Sequence, residues 1–284
     1  PFRIYKNDLL KSFAKSCVMV RRRAKRRDAF KSFFNNYLVK SKKSYTPQNI
    51  GELKNDYDLF ISGSDQVWSP RCVGFDPAYF LTFADDKQKY SYAASFAVPT
   101  LPDEFIDEYK KRLNGFQKFS VREPSGEKLV KELTGRTAET HLDPTLLISA
   151  DEWKKIAVSK IDKPYILIFT ANPAVSLVDF AIKLSKEKNL PVYCINDAPH
   201  PVSHGINYIV APTVEEFVGC FKNAEYVVTN SFHGTAFSVI FNKNLFVEFK
   251  NKSGRNIRSE GLLKSLGIDR EIVDGNCRET EINW

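Results

Sequence analysis

Between residues 164 and 249 the chain repeats one pattern: a short, nearly continuous apolar run, a polar turn, then a stretch of helical periodicity. The runs are PYILIFT (164–170), LPVYCIN (190–196), YIV (208–210), YVV (226–228) and LFVEF (245–249). They do not alternate apolar with polar residues, so each strand must be covered on both faces. Helices between the runs supply that cover, and the result is a parallel α/β sheet. Thr213 and Glu216 read as a capping box for one helix, with Val214, Phe217, Val218 and Phe221 on its inner face. A last helix is expected near 258–266.

The same alternation, less plain, starts near residue 56. YDLFISG (57–63) and QKYSYAASF (88–96) read as strands, 102–115 as a helix opened by Pro102, and FSVR (119–122) as a short strand. A helix over 124–133 has proline in its first turn, where a missing N–H costs nothing. HLDPTLLI (141–148) leads to an interdomain connection near Ser149–Glu152. The chain's 284 residues suit two domains. The division expected is a basic helical segment (1–55), an N-terminal α/β domain (56–150) and a C-terminal one (151–284). In the first segment Leu9, Leu10, Phe13 and Cys17 share a helical spacing, as do Phe30, Phe33, Phe34, Tyr37 and Leu38, and RRRAKRR (21–27) separates the two sets.

The net positive charge is confined to that segment. Residues 1–45 hold 14 Lys/Arg and two Asp/Glu, +12, while the remainder is −4. The run reads either as a solvated face or as a patch drawn to an anionic membrane surface or a polyanion. No aromatic interleaves the run and no nucleic-acid fold signature accompanies it, so no nucleic-acid partner is expected. No apolar stretch approaches the ~18 residues of a membrane span, and no signal-peptide pattern occurs. Five scattered cysteines without a CxxC pair read as small buried residues in a reducing compartment. His200 and His204 sit among prolines that oppose a shared helical face, and no metal or cofactor is expected.

Ligands of open parallel sheets bind where strands hand over to helices. TNSFHGTAFSVI (229–240) is such a place. Asn230 or Ser231 can cap the helix, and Phe232, Ala236, Val239 and Ile240 follow core-facing spacing. His233 then falls in the first turn, beside N–H groups and the positive helix end, where a neutral imidazole able to exchange protons is favoured. Gly234 allows close approach. In SVREPSGEKL (120–129), Arg122 stands at another helix N-terminus, where an anion would relieve charge repulsion; a salt bridge to Glu123 or another carboxylate is the structural alternative. In ISGSDQVWSP (61–70), Ser64 and Asp65 can cradle a substrate, or Asp65 can cap a turn while Trp68 packs in the core. Asp143, before Pro144, reads as an Asx turn.

In order, GSDQVW (63–68), YAASFA (92–97), SVRE (120–123), LDPTLL (142–147) and TNSFHGTAFSVI resemble the polysaccharide pyruvyl transferase family. The resemblance implies two Rossmann-like domains facing a cleft, as in GT-B glycosyltransferases, with the first βα unit missing from this chain. It implies transfer of the pyruvyl group of phosphoenolpyruvate to two sugar hydroxyls as a cyclic ketal, with phosphate released. Arg122 would bind the donor's anionic groups. His233, with the N–H groups of its helix turn, would contact the phosphate or act as general acid. Asp65 would serve as base or orient the acceptor, and Arg255 and Arg258 would add positive charge, with surface salt bridges as the alternative role for either alone. Ser231 stands where characterised branches carry an arginine of an R-x-H pattern, and Ala97 where the family's SFG has glycine. Expected partners are phosphoenolpyruvate, a sugar or lipid-linked glycan, and an anionic membrane surface at the inner face, for a cytoplasmic enzyme. The rival readings are a GT-B glycosyltransferase using a nucleotide sugar and a non-catalytic glycan-binding relative.

Overall fold

A computed structural model describes residues 9–72, 75–172, 174–195, 205–249 and 257–268. Arg255, His200, His204 and Cys277 lie outside the described residues. Two compact units emerge: the first holds residues 41–148 and 257–268, the second 9–40 and 149–249.

The chain opens with α1 (Leu9–Tyr37), one unbroken helix of 29 residues. The helix expected of this segment is present, and it runs through the basic stretch that separates the two apolar sets. Arginine and lysine are good helix formers, so nothing in RRRAKRR stops propagation.

The first unit then lays down β1 (Phe60–Gly63), β2 (Lys89–Tyr92), α2 (Ile106–Leu113), β3 (Ser120–Val121), α3 (Pro124–Thr134) and β4 (Glu139–Thr140). β1 pairs with β2 and β3 with β4, both parallel. Isolated parallel bridges at Tyr90–Lys118 and Ala94–Val121 join β2 to β3. The strand expected over 88–96 stops at Tyr92. Ala93 there takes a left-handed φ of 47°, and its N–H bonds the hydroxyl of Ser120 in β3 (2.9 Å) instead of a backbone carbonyl. Trp68 is the centre of this unit's core, fully buried, 5.3 Å between ring centroids from both Phe96 and Phe116. Its Nε1 donates to the Tyr79 carbonyl (3.1 Å), so the one polar atom of the indole is satisfied.

The second unit continues with α4 (Ala150–Ile156), β5 (Ile166–Phe169), α5 (Val175–Lys188), β6 (Val192–Ile195), β7 (Ile206–Ile209), α6 (Val214–Asn223), β8 (Tyr226–Thr229), α7 (Phe232–Ile240) and β9 (Asn244–Val247). Helix α4 begins where only a connection was expected, because Ser149 caps it by accepting from Glu152 N–H (3.2 Å). The five strands form one parallel sheet in the order β7-β6-β5-β8-β9. Strand order reverses between β5 and β8, so the carboxyl ends of those two strands define the crevice where such sheets take ligands. The capping box of α6 is present in full, Glu216 N–H to Thr213 Oγ1 (3.2 Å) and Thr213 N–H to Glu216 Oε2 (3.1 Å). Helix α8 (Ile257–Ser265) returns to the first unit.

Two cysteines depart from the buried environment expected of all of them. Cys17, on α1, and Cys72 are exposed; Cys194 and Cys220 are buried, and burial pushes their thiols up to about 11 and about 12. No helix among the described residues is long and apolar enough to cross a membrane.

Candidate active site

Four of the five motif segments meet in the first unit around Arg122, which follows β3. Its side chain is 2% exposed. Nη1 donates to Asp143 Oδ2 (2.5 Å) and to Ser64 Oγ (3.3 Å), and Nη2 to Asp65 Oδ1 (2.6 Å). Ser64 in turn donates to Asp143 Oδ2 (2.9 Å). A second guanidinium, that of Arg258 in the first turn of α8, reaches the same Asp65 oxygen (3.1 Å). Burial and the like charge of Arg122 lower the Arg258 pKa, while Asp65 and Glu123 act against them.

Asp143 serves two structures at once. Its Oδ1 accepts from the Thr145 N–H (3.0 Å) and hydroxyl (2.8 Å), closing the turn that LDPT announces. Its Oδ2 takes the arginine. Burial alone would push this carboxyl up; the Arg122 charge and the hydrogen bonds from Thr145 and Arg122 outweigh it and hold it below the usual carboxylate range. Glu123, 1% exposed, accepts from Ser95 Oγ (2.8 Å) and Ala97 N–H (3.0 Å) through Oε1, while its Oε2 lies 3.9 Å from Arg122 Nε. Those contacts hold Ala97 at φ 56°, the left-handed region that favours glycine. The departure from SFG thus falls on a residue whose backbone asks for glycine.

The fifth segment lies in the second unit, at the reversal of the sheet. Asn230 ties the ends of β5 and β8 together, accepting from Ala171 N–H (2.9 Å) and donating to the Asn172 carbonyl (3.1 Å). Thr229 Oγ1 donates to the Phe169 carbonyl (2.5 Å) and accepts from Ser231 N–H (3.0 Å). Ser231 is the helix cap, its Oγ accepting from Gly234 N–H (3.4 Å). Helix α7 was expected to bury one stripe through Val239 and Ile240. Instead Phe232 and all of 234–238 are buried, and Val239 and Ile240 only partly. The buried hydroxyls of Thr235 and Ser238 are satisfied by the carbonyls of Ser231 (3.1 Å) and Gly234 (2.7 Å). Gly234 is required by packing: a Cβ there would lie 2.2 Å from Thr229 Oγ1 and 3.2 Å from the Phe169 ring. His233 stays half-buried in this turn, its ring 5.4 Å between centroids from that of Phe232.

Two residues of this unit and one of the other stand in these networks without having been expected there from the sequence. Glu248 directly follows β9, is 7% exposed, and its N–H bonds the Thr229 carbonyl (2.9 Å). Its Oε1 accepts from Ser176, in the first turn of α5, and its buried Oε2 has no hydrogen-bond partner among the described residues. Its signal was present: it is the one charge in the apolar run LFVEF, at a strand's carboxyl end. Asn230 had been weighed only as a cap. Asp143 had been given a local turn and no distant partner.

Among the described residues no three His, Cys, Asp or Glu side chains are grouped to hold a metal ion. The arrangement offers two guanidiniums converging on one carboxylate in the first unit, and a histidine on a rigid helix N-terminus in the second. Comparison with curated proteins returns no match. The sequence profile of the family described as Polysaccharide pyruvyl transferase matches residues 8–247, most of the chain and all five motif segments. The chain belongs to the polysaccharide pyruvyl transferase family.

Proposed function

We propose that the protein moves the pyruvyl group of phosphoenolpyruvate onto two hydroxyls of a sugar, in a surface polysaccharide or its lipid-linked precursor. The observation that carries this reading is the meeting of Arg122 and Arg258 at the Asp65 carboxylate. Two guanidiniums there face three carboxylates, those of Asp65, Asp143 and Glu123. Asp143 and Glu123 are buried, whereas the Asp65 side chain is 46% exposed. A donor carboxylate has the same fork-matching geometry as Asp65 and can take its place on both arginines. Asp65, displaced, is then free to orient or deprotonate an acceptor hydroxyl.

The chemistry balances without an outside reagent. A proton reaches the methylene carbon of the donor, making it methyl, and the adjacent carbon becomes the electrophile. One hydroxyl adds there; the bond to the phosphate oxygen breaks; the second hydroxyl adds in its place. Of the two protons the hydroxyls lose, one replaces that used on the methylene and the other leaves with phosphate. His233 is assigned to donate the first proton or to contact the phosphate, with the N-terminal turn of α7 complementing the negative charge. Ser231 keeps that turn capped, and Gly234 lets it sit against β8. Glu248, with an unsatisfied oxygen at the end of β9, suits a sugar hydroxyl. Since the donor is a cytoplasmic metabolite, the enzyme is read as cytoplasmic, with the GT-B-like organisation of its family.

Calorimetric titration with phosphoenolpyruvate tests the donor. Binding is expected, and Asp65→Asn should bind it more tightly by removing the competing carboxylate. Binding of a nucleotide sugar with no response to phosphoenolpyruvate would replace the reading with glycosyl transfer. Phosphate release should require an acceptor sugar, and His233→Gln should slow it about a hundredfold or more while leaving the fold intact.

A further inference from the structure

Neither candidate region uses α1. This helix lies against α6, and on that side Lys25 is near enough to Glu216 for its charge to act on that carboxylate. At ~100° per residue, the larger half-buried side chains Met19, Arg22 and Phe33 fall on one side of the helix. No side chain from Ser16 to Tyr37 is buried. Next to them around the helix, Val20, Phe30 and Phe34, exposed by 66%, 42% and 46%, share a strip roughly 100° wide with exposed Arg23, Arg27 and Lys31, Phe30 at the edge nearest Met19. Leu38 and Val39, just past the helix, are exposed as well.

From residue 16 to 40 there are eight Lys/Arg and a single acid, Asp28, which pairs with Arg27 (3.2 Å). Arg26 lies over the Phe30 ring at 5.7 Å. Val20, Phe30 and Phe34 together make an apolar strip among the cations, more than a merely solvated face requires. A polyanion would be served by the cations alone, since no base-reading or groove-fitting group accompanies them. Interleaved phenylalanine and arginine match a boundary where phosphate headgroups meet acyl chains.

We propose that the outward face of α1 docks on an anionic phospholipid bilayer, with Val20, Phe30 and Phe34 entering the headgroup boundary and Arg23, Arg27 and Lys31 on lipid phosphates. The proposal needs nothing from the pyruvyl-transfer reading, and it is tested without an activity assay. The full chain is sedimented with vesicles of phosphatidylcholine alone, and with vesicles containing about a third phosphatidylglycerol. Binding is expected only to the second, and should weaken as salt rises from roughly 0.1 to 0.5 M. The triple variant Arg23→Glu, Arg27→Glu, Lys31→Glu should bind roughly a hundredfold more weakly. The double variant Phe30→Ser, Phe34→Ser should bind more weakly yet keep the salt dependence. Circular dichroism and melting temperature should stay near wild type for both, because every altered side chain is exposed.

Three results would overturn the proposal. They are no preference for the anionic vesicles, equal binding to duplex DNA that the phenylalanine variant leaves intact, and a concentration-dependent dimer abolished by the phenylalanine variant.

Discussion

The Arg122 cluster and the N-terminal turn of α7 are built from opposite materials. The first is a network of charges taken out of water, in which each group is tolerable because its neighbour is present. The second is a matter of backbone and volume: a small helix face pressed on β8, every buried hydroxyl bonded locally, and one titratable side chain left half-buried on top. The first can respond to an incoming anion by exchanging partners. The second cannot rearrange without unpacking. The proposed reaction would use each kind, one to capture a charged donor and one to place a proton.

The contrast can be broken at either end. The largest effect is expected from Arg122→Met, which leaves Asp143 buried with its charge uncompensated; about 3–5 kcal/mol of stability should be lost in urea unfolding, along with donor binding. A loss under about 1 kcal/mol would mean the pair is not a structural unit. Gly234→Ala tests the packed turn and should cost about 1–3 kcal/mol, since Thr229 and Phe169 must both give way. A third test is pH. The Asp143 carboxyl is depressed in the fold, so its contribution is whole above the unfolded carboxylate value and fades as pH falls through the folded one. Urea midpoints should therefore drop below about pH 4, and less so in Asp143→Asn. The smallest effect is Ala97→Gly, which relieves a left-handed alanine and should add about 0.5–1 kcal/mol, read as a raised melting temperature.

What could be read from the sequence follows the range of the interactions. The second unit's strands were legible because burial on both faces leaves a continuous apolar run, and the α6 cap because both partners lie within one turn. Trp68 could be placed in a core by its type and setting. Of the charge network only a salt bridge from Arg122 to Glu123 or another carboxylate was foreseen, as the alternative to an anion, and its distant partners could not be named. Asp143 and Arg122 are 21 residues apart and Asp65 and Arg258 are 193 apart, and no local pattern records such pairings. Arg122 and Asp65 were singled out for their positions after strands, without any sign that they touch. Ala93 shows the reverse case: its segment has strand composition, yet the regular strand stops where Ala93 turns left-handed and gives its N–H to the Ser120 hydroxyl. Gly234 looked like room for a ligand, yet the constraint on it comes from the strand beneath.

The two oxygens of Asp143 have separate clients, a loop two residues ahead and a guanidinium brought in by another strand. In evolutionary terms the position is therefore doubly indebted. Asparagine or serine there could still close the loop but would strand the arginine's charge, and a neutral residue at 122 would strand the carboxylate's. Substitutions at the two positions should appear together or not at all, and a lineage that lost the pair would have to change both in step. The loop would then be the only record that an acid had once stood there.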